Sequence, residues 1–339
     1  MAQKVLVTGG TGLVGAHLLY ELVQKGYSVK ATKRNSSNLK FAEWVFGLYS
    51  GNPGELFKKV EWVEADMLDY ASVQEATRGI DTVFHTSAIV SFNPYRAKAI
   101  ISNNVAGTAN IVDACLENGV KTLCHISSIA ALGDTNAQGF IDENCKWSSS
   151  KGQGAYALSK FLSENEVWRG KEHGLRVIVV NPSVILGPGR WDSGSGQLFK
   201  QASKGQPFYT EGISGFVDVR DVAKAMVVLS ENDEISNDRF VLNAENISYK
   251  QLFTIIAEKV GKKAPYIKIP RTLVKVVSPI VYLVGIITGT GGKMLVKSTD
   301  AAFSKTYYSS EKIKKAINFQ FIPVSETVDF ITKVFKASR

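Results

Sequence analysis

Cysteine and histidine are scarce in this chain of 339 residues, and where they fall removes several chemistries. Cys115, Cys124 and Cys145 are odd in number and lack metal-ligand spacing, which argues against a disulfide framework and predicts reduced thiols in a cytoplasmic protein. The four histidines are scattered, with His85 and His125 closing apolar, strand-like runs, so no metal site is predicted. Long apolar runs are missing too. The best candidate, Thr272–Thr288, is interrupted by Lys275 and Pro279 and falls short of the ~20 residues a membrane span needs. A buried or pocket-lining helix is expected there in preference to membrane-surface attachment. Met1 leads straight into a strand-like run, without the charged and apolar regions of an export signal.

Charge is biased but not clustered. The net charge of +9 is spread along the chain and accompanies no nucleic-acid motif, so it is read as a solvated surface. A hydrophobic content of 45% can supply a large core, and the length suits a nucleotide domain with a smaller appendage, acting as a monomer or homodimer on a small molecule.

What the chain does have begins five residues in. Val5-Leu6-Val7 is a short apolar run, followed by Thr8-Gly9-Gly10-Thr11-Gly12-Leu13-Val14-Gly15 and then a stretch with Leu18, Leu19, Leu22 and Val23 at helical spacing. Strand, glycine turn and helix in this order form a dinucleotide-binding signature. One glycine makes the turn, one admits the pyrophosphate, and one lets the helix pack closely, with the helix N-terminus facing the phosphates.

An absence selects the dinucleotide. No Asp or Glu occurs between Leu22 and Ala42, so the end of the second strand, Ser28–Thr32, offers no carboxylate for a ribose 2′-hydroxyl. It offers Lys33 and Arg34 instead, with Lys40 in the following loop, and a guanidinium can fork onto a 2′-phosphate. NADP(H) is the expected cofactor and NAD(H) the second choice.

Tyr156-Ala157-Leu158-Ser159-Lys160 places a phenol and an ammonium one helical turn apart. An ordinary phenol ionises near pH ~10, and a cation fixed beside it favours the phenolate, so this pair can exchange a proton nearer neutrality.

Strand-like runs at Val60–Glu64, Thr82–His85, Thr122–Ile126 and Arg176–Val180 alternate with helical ones around Ala71–Thr77, Ala97–Glu117 and Tyr156–Glu172. That alternation predicts an α/β fold with a doubly wound parallel Rossmann sheet. The pattern changes after Asn181-Pro182, with a glycine-rich loop at 187–196, a helix starting within Phe216–Val222 and a strand at Arg239–Leu242. The expected division is a dinucleotide-binding domain over 1–180, rejoined by 216–243. A smaller, mostly helical C-terminal substrate lobe comprises 181–215 and 244–339.

Together these segments resemble the extended short-chain dehydrogenase/reductases of the NAD(P)-dependent epimerase/dehydratase superfamily, in particular the branch of dihydroflavonol reductases, cinnamoyl-CoA reductases and 3β-hydroxysteroid dehydrogenases. The resemblance covers nearly the whole chain. It rests on the glycine turn, Asp66-Met67, His85-Thr86-Ser87-Ala88, Asn104-Val105-Ala106-Gly107-Thr108, Ser127-Ser128, Tyr156 with Lys160, Asn181-Pro182-Ser183 and Phe216-Val217-Asp218-Val219-Arg220-Asp221-Val222. It implies that Asp66 and Met67 face the adenine, that Thr86, Ser87, Ala88 and Asn104 line the cofactor, and that Pro182 and Ser183 border the nicotinamide. It further implies that Ser128 holds the substrate oxygen, Tyr156 is the general acid/base, and Lys160 lowers the phenol's pKa and binds the ribose.

The implied reaction is interconversion of a ketone or aldehyde with an alcohol. Ile129-Ala130 stands where a dehydratase of this group would carry an acidic pair, and Leu132-Gly133 where sugar epimerases often have Tyr-Gly. A nucleotide-sugar epimerase with tightly bound NAD remains the alternative. A non-catalytic NADP(H)-binding sensor or assembly factor is a further one, although such members commonly lose the tyrosine or lysine. The apolar Ile129–Leu132 and the aromatic Phe92, Phe208, Tyr209 and Phe216 would suit an apolar carbonyl substrate or a core equally.

Overall fold

The computed structural model describes residues 2–90, 94–147, 154–192, 194–272 and 302–338. The apolar runs form a seven-stranded sheet built from β1 (Lys4–Thr8), β2 (Ser28–Lys33), β3 (Val60–Glu64), β4 (Thr82–His85), β5 (Thr122–Ile126), β7 (Arg176–Pro182) and β11 (Asp238–Leu242). The spatial order is β3-β2-β1-β4-β5-β7-β11, and every neighbouring pair is parallel. The chain moves outward from β1 to β3, then crosses back to β4 on the other side of β1. That reversal opens a crevice beyond the carboxyl ends of β1 and β4, where α/β sheets bind ligands.

Alternation along each strand feeds two cores. Val5 and Val7 pack with Leu18, Leu19 and Leu22 of α1 (Leu13–Gln24) and with Val222 and Met226 of α8 (Val219–Glu231). Leu6 points the other way, into a cluster with Val73 of α4 (Tyr70–Thr77), Ile111 and Val112 of α5 (Ala97–Glu117) and Val167 of α6 (Ala155–Glu172). Each such side chain fully removed from water contributes about 1.5–3 kcal/mol, which is why the strands are apolar on both faces.

Two short helices were not anticipated. α2 (Lys40–Gly47) buries Ala42, Val45 and Phe46, and α3 (Pro53–Phe57) follows, so Lys40 opens a helix rather than lying in a loop. The helix expected to start within Phe216–Val222 begins at Val219, and the residues before it end the strand β10 (Ile213–Asp218). Asp218 sets the boundary: its carboxylate accepts the Arg220 N–H at 2.7 Å and so caps α8.

A third core forms away from the large sheet, where Phe199 of α7 (Gly194–Ala202), Phe216, Leu252 and Ile256 of α9 (Tyr249–Lys259), and Val328, Ile331 and Phe335 of the last helix, Val324–Ala337, pack together. A three-stranded sheet accompanies the helices: β10 pairs parallel with β8 (Val184–Leu186) and antiparallel with β12 (Glu245–Ser248). Two small ribbons complete the described strands. β6 (Phe140–Ile141) pairs with β14 (Tyr307–Tyr308), and β9 (Phe208–Tyr209) with β13 (Ile267–Lys268). Among the described residues no helix is long and apolar enough to cross a membrane, and no cluster of His, Cys, Asp and Glu could hold a metal ion. The stretch Thr272–Thr288 lies almost entirely outside the described residues, as does Phe92.

Candidate active site at the carboxyl edge of the sheet

The glycine turn closes on itself at the head of β1. The Gly12 N–H donates to the Gly9 carbonyl at 2.9 Å, and Gly9 has φ +73°, a conformation that side chains resist. A Cβ at Gly9 would stand 2.8 Å from the Ser87 backbone, and one at Gly15 only 2.2 Å from the Gly9 oxygen. These contacts press α1, the turn and the loop after β4 together. Gly12 is the N-cap of α1 and supplies no side-chain cap, so the first N–H groups of the helix keep their donor capacity for a ligand.

The loop after β4 is fastened from below. Thr86 Oγ1 donates to the Thr8 carbonyl at 2.6 Å, and Thr8 Oγ1 meets His85 Nδ1 at 2.7 Å. Asn104 accepts the Ile89 N–H at 2.8 Å and donates to the Ile89 carbonyl at 3.0 Å and to Ser159 Oγ at 3.2 Å. Its side chain thus ties the loop after β4 to α5 and α6. His85 and His125 stack at 5.2 Å under the site. Burial pushes both imidazoles down, His85 to about 3, and the nearby Lys160 charge adds to the effect. Both stay neutral at physiological pH.

At the end of β2 the basic loop is exposed and folded on itself. The Arg34 N–H donates to Ser37 Oγ at 3.0 Å and the Arg34 carbonyl accepts the Ser37 N–H at 2.9 Å, leaving the guanidinium outward. Lys33 is half-buried and Lys40 exposed. Asp66, also exposed, uses Oδ1 to accept the Leu68 N–H at 3.0 Å. Met67 packs where a Cβ on Gly107 would meet its own Cβ at 3.0 Å, and its carbonyl accepts from Asn110.

The candidate catalytic side chains meet where α6 passes the end of β5. Ser128 starts a short 3-10 turn, Ile129–Ala131, and its Oγ accepts the Ala130 N–H at 3.1 Å. The same hydroxyl bonds to the Tyr156 phenol. Burial raises that phenol's pKa above its ordinary value, and the Ser128 contact pulls it back down. Lys160 is buried and its Nζ donates to the Ile126 carbonyl at 2.9 Å. Burial pushes the ammonium down to about 8, while Glu164 opposes the shift. Burial and Ser128 therefore act on the phenol, while the Lys160 ammonium bonds to the Ile126 carbonyl of the sheet.

A support layer lies beneath, which the motifs did not reveal. Asn181 Nδ2 donates to the Ser128 carbonyl at 3.1 Å and to Glu164 Oε2 at 2.9 Å, and Arg239 Nη1 donates to Glu164 Oε1 at 3.2 Å. Glu164 is almost fully buried, and such a carboxylate persists because it is paired and hydrogen-bonded. Its one signal in the sequence is the i,i+4 step from Lys160. Pro182 ends β7 and Ser183 follows it, both buried. The three described aromatics are not gathered into one pocket: Phe216 is a core residue against Tyr249, whereas Phe208 is exposed and Tyr209 lies under the Lys250 ammonium at 4.5 Å.

A dinucleotide fits these observations. The cradle has no room for a side chain at Gly9 or Gly15, and the uncapped end of α1 beside Gly12 presents donors to phosphates, next to the switch between β1 and β4. Residues 5–243 match the model of the NAD dependent epimerase/dehydratase family, and the chain belongs to that family. Cinnamoyl-CoA reductase 1 of Petunia hybrida is 30% identical over 291 residues, covering 82% of this chain and 82% of that protein. The crystal structure of gox2253 matches 99% of this chain and 98% of its own with a TM-score of 0.81 and 28% identity. A UDP-glucuronic acid 4-epimerase of Bacillus cereus, solved with NAD, matches 99% of this chain and all of its own with a TM-score of 0.77; at 17% identity this likeness concerns the fold. The protein is an NAD(P)-dependent oxidoreductase acting on carbonyl and alcohol groups.

Proposed function

We propose that the protein is an NADP(H)-preferring reductase interconverting a ketone or aldehyde and an alcohol, with Ser128, Tyr156 and Lys160 as its catalytic residues. The observation that carries this reading is the hydrogen bond between the Ser128 and Tyr156 hydroxyls, one helical turn from the buried Lys160. When bound, the nicotinamide supplies the hydride. As the carbonyl carbon receives it, negative charge develops on the substrate oxygen, and two hydroxyl donors at that point stabilise it. The Tyr156 O–H bond breaks, its proton forms the new alcohol O–H, and the phenolate left behind is held by Ser128 until it is reprotonated from solvent. Lys160, fixed by the Ile126 carbonyl, presents positive charge beneath the ribose site. Asn181 and Glu164 are positioning residues that hold the Ser128 main chain and α6 in register.

The preference for NADP(H) is supported by the outward guanidinium of Arg34 and by the lack of any carboxylate between Leu22 and Ala42. The test is NADPH oxidation with a panel of carbonyl compounds, wild type against Tyr156→Phe. The variant loses one oxygen and should bind NADPH normally, yet turn over roughly 10²–10⁴-fold more slowly. A folded Tyr156→Phe protein with wild-type turnover would remove Tyr156 as the acid. Conversion of nucleotide sugars without net oxidation of the cofactor would favour an epimerase.

A further inference from the structure

The ribbon of β9 and β13 is an unusual piece of surface. Its strands pair in parallel with Ile267 opposite Phe208, and paired residues of parallel strands project to the same face. Phe208 and Ile267 therefore stand side by side, 49% and 40% exposed, and the adjoining Tyr266 is 70% exposed. The main chain holds them there: the Tyr266 and Ile267 N–H groups both donate to the Pro207 carbonyl, at 2.9 and 2.8 Å. Isolated exposed apolar residues are common, but two paired on one face of a short, fixed ribbon, with a third exposed ring beside them in the chain, form a surface that a partner would cover.

Charge says what the partner is. The segment Lys262–Arg271 carries Lys262, Lys263, Lys268 and Arg271 and no acidic residue. The Lys262 side chain packs where a Cβ on Gly205 would meet it at 3.0 Å, so Lys262 and the exposed Lys204 flank the entry to the ribbon. The acidic neighbour, Glu211, is ion-paired with Lys268 at 2.6 Å with both side chains about half exposed, an arrangement that holds little energy in water. Apolar side chains within a basic rim match a surface that is anionic outside and apolar beneath. We propose that this face docks the protein on an anionic lipid bilayer, with Phe208 and Ile267 entering the headgroup boundary and the lysines on the lipid charges. Duplex nucleic acid would answer the cations but leave the apolar patch without a role. The surface does not include Thr272–Thr288.

Flotation with vesicles tests this, using phosphatidylcholine alone or mixed with phosphatidylserine. Wild-type protein should float with the mixed vesicles and not with phosphatidylcholine. Each basic residue near such a surface changes partitioning about fivefold, so Lys262→Glu/Lys263→Glu should lower it by at least about tenfold. Phe208→Ser/Ile267→Ser should also weaken it by several-fold, and NADPH binding, unchanged in both variants, verifies their fold. Wild-type protein that stays down with phosphatidylserine vesicles overturns the proposal. So does undiminished flotation of both variants, which would place attachment elsewhere on the chain, and so does binding to duplex DNA without binding to vesicles.

Discussion

The ammonium of Lys160 donates to the main-chain carbonyl of Ile126 at 2.9 Å, and this bond ties the middle of α6 to the end of β5. The cation is buried, so the folded state disfavours its charge and its pKa falls from 10.5 to about 8. A lowered lysine pKa means the unfolded chain binds more protons between about 8 and 10.5. The penalty is fully present below 8 and is relieved as pH rises through that window. Lys160→Met removes the titration. Its melting temperature relative to wild type should therefore be most favourable below pH 8 and decline towards 10.5, while turnover and NADPH affinity both fall at every pH. A constant difference in melting temperature across the window would show that Lys160 is not charged and buried as described.

Arg34 offers a separation of cofactors. Its backbone is held by Ser37 in both directions, so a substitution should leave the loop standing. Arg34→Asp turns a charge-assisted phosphate contact into repulsion and should weaken NADPH by at least about tenfold. NADH, lacking the 2′-phosphate, should be affected much less. Equal losses in titrations of the two cofactors would rule out a role for Arg34 in reading that phosphate.

The parts of this molecule differ in how openly the sequence displays them. Val5–Val7 and Val177–Val180 are apolar because both faces of the sheet are covered, and such runs are visible without a partner. α2 is hidden because its eight residues span barely two turns, too few for periodicity to stand out from the polar loop before it. Phe216–Val222 shows the coming helix but not its first residue, because one motif contains the end of a strand, a cap and the start of a helix. Tyr156 and Lys160 are legible from local spacing. The bonds from Glu164 to Asn181 and Arg239 bridge 17 and 75 residues, and no local pattern announces a buried network assembled from three separate elements.

Asp221 should make stability depend on pH in the opposite sense to an ordinary paired carboxylate. Burial raises its pKa from 3.8 to about 7, against the bond it accepts from the Ile322 N–H at 2.8 Å. The folded state thus binds more protons between 3.8 and 7, so this group costs stability above 7 and the cost is lost as pH falls. Asp221→Asn keeps an acceptor for Ile322 and removes the charge. The variant should melt higher than wild type above pH 7, with the gap closing towards 3.8. The comparison must be made between the two proteins, because buried His17 and His85 lower the stability of both in acid. A gap that widens as pH falls would contradict the assignment.

Two glycines of the same turn should fail in different ways. Gly15 lies where a Cβ would stand 2.2 Å from the Gly9 oxygen and 2.8 Å from its carbonyl carbon, both backbone atoms that cannot move without displacing the turn from β1. Gly15→Ala should therefore cost about 1–3 kcal/mol of stability through overpacking, and lose cofactor affinity as a consequence. Gly12 is exposed, has φ −88°, and its nearest neighbour would be 3.2 Å from a new Cβ, so an alanine fits with a small adjustment. Gly12→Ala should melt within a few degrees of wild type but bind NADPH much more weakly, because the methyl group stands where the pyrophosphate approaches the helix end. Thermal melts with and without NADPH separate the outcomes. A Gly15→Ala protein that melts like wild type would mean that α1 is not pressed against the turn. Unimpaired NADPH binding by Gly12→Ala would move the phosphates away from this end of the helix.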